Sequence, residues 1–147
     1  MYKEYLPVFT LQAACGQFGE GVEAQKEGWL KVDLRRKLDR NMFISRVQGK
    51  SMEPMINDGD YCIFRANVVG SRQNKVVLVQ HNSITDSDTG GKYTVKKYTS
   101  KKVYKSDGTW GHDEIVLMPS NTTYSPIVIP NEEDGGFMVV AEFMSVI

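Results

Sequence analysis

Gly49-Lys50-Ser51-Met52-Glu53-Pro54-Met55-Ile56-Asn57-Asp58-Gly59-Asp60 is the stretch from which the rest of the chain can be read. It follows a run of strand character at 42–48, enters a tight turn at the glycine, and reaches an Asn-Asp-Gly turn that feeds the next strand. A hydroxyl at Ser51 is then exposed at a strand end on a fixed backbone. That placement suits a nucleophile. It also suits a helix N-cap, because Ser51 precedes Met52-Glu53-Pro54-Met55 and can bond the amides of one short turn. Spacing alone leaves both readings open.

Outward from this turn the apolar runs are short and turn-bounded, with no long stretch of 3.6-residue period, so the class is mainly β. Upstream, residues 6–12 form an extended segment whose proline suggests an edge position. Ala13-Ala14-Cys15-Gly16-Gln17-Phe18-Gly19-Glu20-Gly21 reads as a flexible loop. A strand is expected at 29–32. Residues 33–40 are a charged connection with room for a helical turn; Lys31, Arg35, Arg36, Lys37 and Arg40 make it the most basic part of the chain. No aromatic ladder or groove-entering helix accompanies these charges, so they read as a solvated face. Downstream, Tyr61-Cys62-Ile63-Phe64-Arg65 is a strand with Cys62 as a small core residue. Residues 74–81 form a buried strand, 82–91 a polar loop, and 92–105 a long strand. Asp86 and Asp88 lack the ligand spacing and closing glutamate of a calcium loop and read as solvated. On the long strand, alternation puts Thr94, Lys96 and Tyr98 on one face and Tyr93, Val95 and Lys97 on the other, without choosing between the two lysines. A turn at 106–109, a strand at 114–118, a proline-bounded extended segment at 119–130 and a closing strand at 137–147 complete the chain.

Composition sets bounds. A chain of 147 residues can bury a core without disulfides or metal. Eighteen basic and eighteen acidic side chains balance to zero, which points to no polyanionic partner, although a local basic patch stays possible. The apolar runs fall far short of the roughly 18 residues of a membrane span, and Met1-Tyr2-Lys3-Glu4-Tyr5 lacks a signal-peptide core. With Cys15 and Cys62 as the two cysteines, the expectation is a soluble, cytoplasmic protein with reduced thiols. His81 and His112 read as surface residues. Neither zinc-ligand clusters nor a phosphate-binding glycine loop is present, so no metal and no cofactor are expected.

Four segments together resemble one family. Val47-Gln48-Gly49-Lys50-Ser51-Met52-Glu53-Pro54 with Asp58-Gly59-Asp60, and later Tyr93-Thr94-Val95-Lys96-Lys97-Tyr98, are similar to the paired signature of the LexA/UmuD family of Ser-Lys autopeptidases. Pro119-Ser120-Asn121-Thr122-Thr123-Tyr124-Ser125-Pro126-Ile127 resembles that family's P-x-N-x-x-Y-x-P-I segment. Ala13-Ala14-Cys15-Gly16 resembles its self-cleavage site. The matches run in the family's order over nearly the whole chain. The resemblance implies a LexA/UmuD/signal-peptidase-like β-clip domain at 28–147, preceded by a flexible N-terminal arm with the cleavage-site loop at 1–27. It implies Ser51 as nucleophile, Lys96 rather than Lys97 as general base, and cleavage between Cys15 and Gly16. It further implies the arm as substrate, a RecA filament on single-stranded DNA as activator in the response to DNA damage, and a homodimer, whose interface is expected at the apolar C-terminal strand. The loop at 82–91 looks like an insertion relative to the family.

The chemistry of such a dyad has definite requirements. Serine is a poor nucleophile until its proton is removed, and lysine removes it only when neutral. A free lysine has a pKa of about 10.4. Lowering it by about three units through burial costs roughly 4 kcal/mol, and a carboxylate partner would oppose the shift, so Lys96 is expected to have none. The backbone amides of Ser51 and Met52 are the expected oxyanion site. Fourteen residues precede Cys15, so the chain resembles UmuD, whose trimmed form serves a DNA polymerase, or the peptidase domain of a longer protein carrying a DNA-binding domain. A peptidase-like module used for dimerisation or partner binding is the alternative, and a protease acting in trans like bacterial signal peptidases is a third reading.

Overall fold

The computed structural model describes residues 3–104, 110–130 and 136–147. Among these, short turn-bounded runs form nine strands. They are β1 (Tyr5–Val8), β2 (Gly28–Lys31), β3 (Met42–Arg46), β4 (Tyr61–Ala66), β5 (Val76–Gln80), β6 (Tyr93–Tyr104), β7 (Trp110–Met118), β8 (Ile127–Pro130) and β9 (Met138–Val146). One sheet joins them in the order β2-β1-β3-β4-β9-β5-β6-β7-β8. The mainly β class and the strand positions follow the sequence expectation. The turn expected at 106–109 lies outside the described residues, as does the side chain of His112.

Register shifts in the β4/β9 ladder at Ile63/Phe64 and in the β5/β9 ladder at Leu78/Val79 mark irregularities in the middle of the sheet. Such bulges bend a strand and sharpen its twist, which lets a long sheet curl around its contents. Phe43 is fully buried at the centre of the largest apolar cluster, stacked on Phe64 at 5.5 Å and on Phe18 at 4.6 Å between ring centroids. Separate clusters form around Leu6, Met42 and Ile44, and around Val77, Val79 and Leu117. No described helix is long and apolar enough to cross a membrane.

Three local expectations need correction. Residues 13–21 are helical instead of a loop: α1 (Leu11–Ala14) continues as a π-helix over Cys15–Glu20. Thr10 accepts the Ala13 amide at 3.1 Å as N-cap, and Gly21, at φ +73°, closes the C-terminus by donating its N–H to the Gly16 carbonyl. Leu11, Ala14, Cys15 and Phe18 recur at i, i+3, i+4 and i+7 and face the core, so tertiary burial outweighs the poor helix propensity of the glycines. Residues 33–40 form bends and a turn, with no helical turn. β1 is not an edge strand: it pairs with β2 along its length, while a single register pair, Val8 with Ile44, joins it to β3, so Pro7 interrupts little. β9 lies between β4 and β5, its ladder to β4 running over 141–146 and its ladder to β5 over 138–142.

Because Phe43 is held between two stacked rings with no route to solvent, truncating it leaves a cavity that its neighbours cannot close. Phe43→Ala is expected to lower unfolding free energy in urea by about 3–5 kcal/mol; a loss below about 1 kcal/mol would show that the cluster is loosely packed.

Candidate active site

Ser51 stands in the turn that leaves β3. Gly49, at φ +102°, sits in a region that strongly favours glycine, and its amide donates to the Asp58 carboxylate at 2.8 Å. Asp60 accepts the Asn57 amide at 2.8 Å, and the Val47 amide donates to the Asp60 carbonyl at 2.8 Å. The Asp-Gly-Asp turn therefore clamps both ends of the serine turn. From the opposite side, the Asn121 amide donates to the Ser51 carbonyl at 2.9 Å, and Asn121 Nδ2 donates to the Lys50 carbonyl at 3.1 Å. The Ser51 hydroxyl is bonded to Lys96, and the Glu53 amide donates to the Lys50 carbonyl instead of to the hydroxyl, so the N-cap reading does not describe its contacts.

Lys96 comes from β6. Alternation along the strand buries Thr94 and Lys96 on one face and exposes Lys97, as the signature implied. Lys96 Nζ lies 2.7 Å from Ser51 Oγ, 2.7 Å from Thr94 Oγ1 and 3.2 Å from the Val95 carbonyl oxygen. Lys96 is 4% exposed and Ser51 8% exposed. Burial pushes the lysine pKa below its ordinary value, against the opposing pull of Asp86 and Asp88.

The expectation of a lysine without a carboxylate nearby is therefore wrong. Asp86 Oδ2 is 3.9 Å from Lys96 Nζ and accepts a 2.7 Å hydrogen bond from the Thr94 hydroxyl. Asp86 is itself buried, not solvated, because its other oxygen accepts the amides of Asp88 at 2.9 Å and Thr89 at 3.0 Å. Burial alone would raise its pKa, but the hydrogen bonds from Thr94, Thr89 and Asp88, with the Lys96 charge, together hold it below the ordinary carboxylate value. Asp88 accepts the Tyr124 hydroxyl at 3.0 Å, and a side chain at position 49 would collide with Asp88. The loop at 82–91 thus packs onto the serine turn. His81 is likewise buried, paired through Nδ1 with the Ser83 hydroxyl.

The dyad opens on a cleft shared with Leu11, Val47, Gln48, Thr89 and Tyr93. Cys15 and Gly16 line an adjoining cavity of about 660 Å³ together with Gly91, Lys92 and Tyr93. Cys15 is 2% exposed within the helical segment, and burial, then Glu20, pushes its thiol pKa up to about 12. Met52 is buried in the same apolar cluster as Cys15 and Leu11. Among the described residues, the Ser51 and Met52 amides have no hydrogen-bond acceptor.

The profile of the Peptidase S24-like family matches residues 7–143. The chain belongs to that family. The match begins within β1 and spans Ser51, Lys96 and the Asp-Gly-Asp turn, and it supports a LexA/UmuD-type peptidase at the family level. A comparison with curated proteins finds no match. Asp86, Asn121 and Tyr124 are the members of this site to which sequence reasoning gave no role. Asp86-Ser87-Asp88-Thr89-Gly90 carries the signal of an Asx turn, which marks a turn but not where it docks.

Because the folded-state pKa of Lys96 lies below its unfolded value, the unfolded chain binds an extra proton between the two. Stability therefore rises with pH across that window, up to the unfolded value near 10.5. Urea midpoints measured from about pH 7 upward should climb in wild type relative to Lys96→Met, other titrations cancelling in the difference. Parallel curves would show that Lys96 stays solvated and charged in the folded state.

Proposed function

We propose that this chain is a self-cleaving serine peptidase with Ser51 as nucleophile and Lys96 as general base, cutting its own Cys15–Gly16 bond. The 2.7 Å approach of Lys96 Nζ to Ser51 Oγ in a buried site carries this reading. Neutral Lys96 takes the hydroxyl proton as Ser51 Oγ attacks the Cys15 carbonyl carbon. The amides of Ser51 and Met52 receive the oxyanion. Collapse expels the Gly16 amine, which takes its proton from Lys96 and leaves an ester between Cys15 and Ser51. Lys96 then deprotonates a water that hydrolyses the ester.

The arm is tethered beside the cleft, since Leu11 lines it. A tethered substrate has a high effective concentration and needs little intrinsic affinity. The Cys15–Gly16 bond lies within the helical arm, with Cys15 buried and Gly16 half-buried, so on this reading cleavage requires residues 11–20 to unwind and lie extended across Ser51. An activator supplies its effect by favouring the unwound arm. On this reading the RecA filament on single-stranded DNA is that activator, the setting is the cytoplasmic response to DNA damage, and the active unit is a homodimer.

The buried, helical position of Cys15 favours a second reading, in which the chain is a peptidase-like module that binds a partner, such as a DNA polymerase or a DNA-binding domain, without cutting itself.

Intact mass after incubation at neutral pH and at about pH 10 distinguishes the two. Wild type is expected to release residues 1–15 faster in alkali, where Lys96 is deprotonated without an activator, and Ser51→Ala and Lys96→Ala should stay intact. A wild-type chain that remains whole at both pH values, and also with activated RecA, would favour the binding module.

A further inference from the structure

The 82–91 loop is held over the active site by two separate groups of contacts, and only the one through Asp86 reaches the hydrogen-bond network of the lysine. Asp88 ties the loop to Tyr124 and lies against Gly49. Asp86 turns inward, is 9% exposed, and reaches Thr94. A protonated Lys96 can donate to all three of its neighbours, but for the neutral amine that catalysis needs the hydrogen-bond inventory has one consistent solution. Threonine has one hydroxyl proton, and Thr94 donates it to Asp86 Oδ2. Toward Lys96 the Thr94 oxygen can only accept. A neutral lysine amine has two N–H groups and one lone pair. Thr94 Oγ1 at 2.7 Å and the Val95 carbonyl at 3.2 Å accept the two N–H groups. The lone pair is left for the third neighbour, the Ser51 hydroxyl at 2.7 Å.

We infer that Asp86 is a positioning residue for the dyad: by fixing the direction of the Thr94 hydroxyl, it turns the lone pair of neutral Lys96 toward the Ser51 proton. The inference rests on the Ser51/Lys96 reading and assigns a task to a loop that otherwise has none. The arrangement carries a cost, because a carboxylate 3.9 Å from the amine favours the protonated base. Burial of Lys96 outweighs that cost, as its lowered pKa records. The charged groups acting on the amine are Asp86 and Asp88 from the loop; the cleft face of α1 presents Leu11, and β5 places Val77 opposite Lys96.

Asp86→Asn tests the inference with little change of shape. Its carbonyl oxygen can still accept the amides of Asp88 and Thr89, so the turn is kept. Its amide group then faces Thr94 as a donor, and the threonine proton swings toward Lys96, where it competes with Ser51 for the lone pair. Two readouts that do not depend on self-cleavage apply. One is the rate at which diisopropyl fluorophosphate labels Ser51 across pH, a step in which an O–P bond forms, fluoride leaves and the serine proton passes to Lys96. The other is the titration midpoint of Lys96 followed by the NMR shift of its ε-carbon. Asp86→Asn is expected to label roughly tenfold slower at the alkaline plateau, while the Lys96 midpoint moves down because a negative charge is gone. In a Thr94→Val background the same substitution should leave the plateau rate unchanged.

If Asp86 serves only to hold the loop, the substitution loosens it, solvates the lysine and moves the midpoint up toward the ordinary lysine value. An upward or unchanged midpoint, or an equal rate loss in the Thr94→Val background, overturns the inference. Absence of labelling in wild type at every pH would instead sink the dyad reading, and the NMR midpoint of Asp86→Asn would still decide whether Asp86 acts on Lys96.

Discussion

A lysine amine buried beside a serine hydroxyl is the constraint on which the rest of this structure depends. Lysine prefers water strongly enough that a nearly fully buried one has to be held there by its surroundings. Three elements share that work. β6 holds Lys96 in register with Val77 of β5, and the ladder to β7 begins at the next residue, Lys97. The serine turn is clamped by the Asp-Gly-Asp turn on one side and by Asn121 on the other. The 82–91 loop closes the remaining side and brings the carboxylate that orients Thr94.

The site therefore combines opposing influences on one proton. Desolvation favours the neutral amine that the chemistry needs, and Asp86 with Asp88 favours the charged one. Removing the carboxylates would give a more available base, but one whose lone pair is no longer aimed. Geometry and basicity are tuned against each other by the same side chain, a common feature of sites where pKa values are displaced.

A similar opposition exists in the arm. Residues 11–20 bury Leu11, Ala14, Cys15 and part of Phe18 against Phe43 and the neighbouring core, so the docked helix adds to the stability of the domain. The proposed self-cleavage would need the same residues extended. On that reading the apolar contacts that fold the arm set the free energy a trigger would have to supply, and the buried thiol of Cys15 reflects how completely the arm is docked.

The Asp-Gly-Asp turn and the mainly β class were legible in the sequence, because each depends on neighbours within a few residues: a turn needs its glycine and aspartates in order, and strands show as short turn-bounded apolar runs. Ser51 and Lys96 stood out only through the family resemblance, since Thr94, Val95 and Lys96 are all buried and alternation does not choose between the lysines. The helical arm was written there too, in Thr10 and in the spacing of Leu11, Ala14, Cys15 and Phe18, but three glycines masked it, and only the apolar surface around Phe43 lets burial win over propensity. The docking of Asp86, the grip of Asn121 on the serine turn and the central place of β9 could not be read at all. Their partners are Thr94, Ser51, β4 and β5, joined to them by long-range packing or by a register that no local pattern encodes. What the sequence by itself determined was which groups could do chemistry; the tertiary structure decided which of them meet, because a 2.7 Å contact between residues 45 positions apart exists only once β3, β4, β9, β5 and β6 have paired in register.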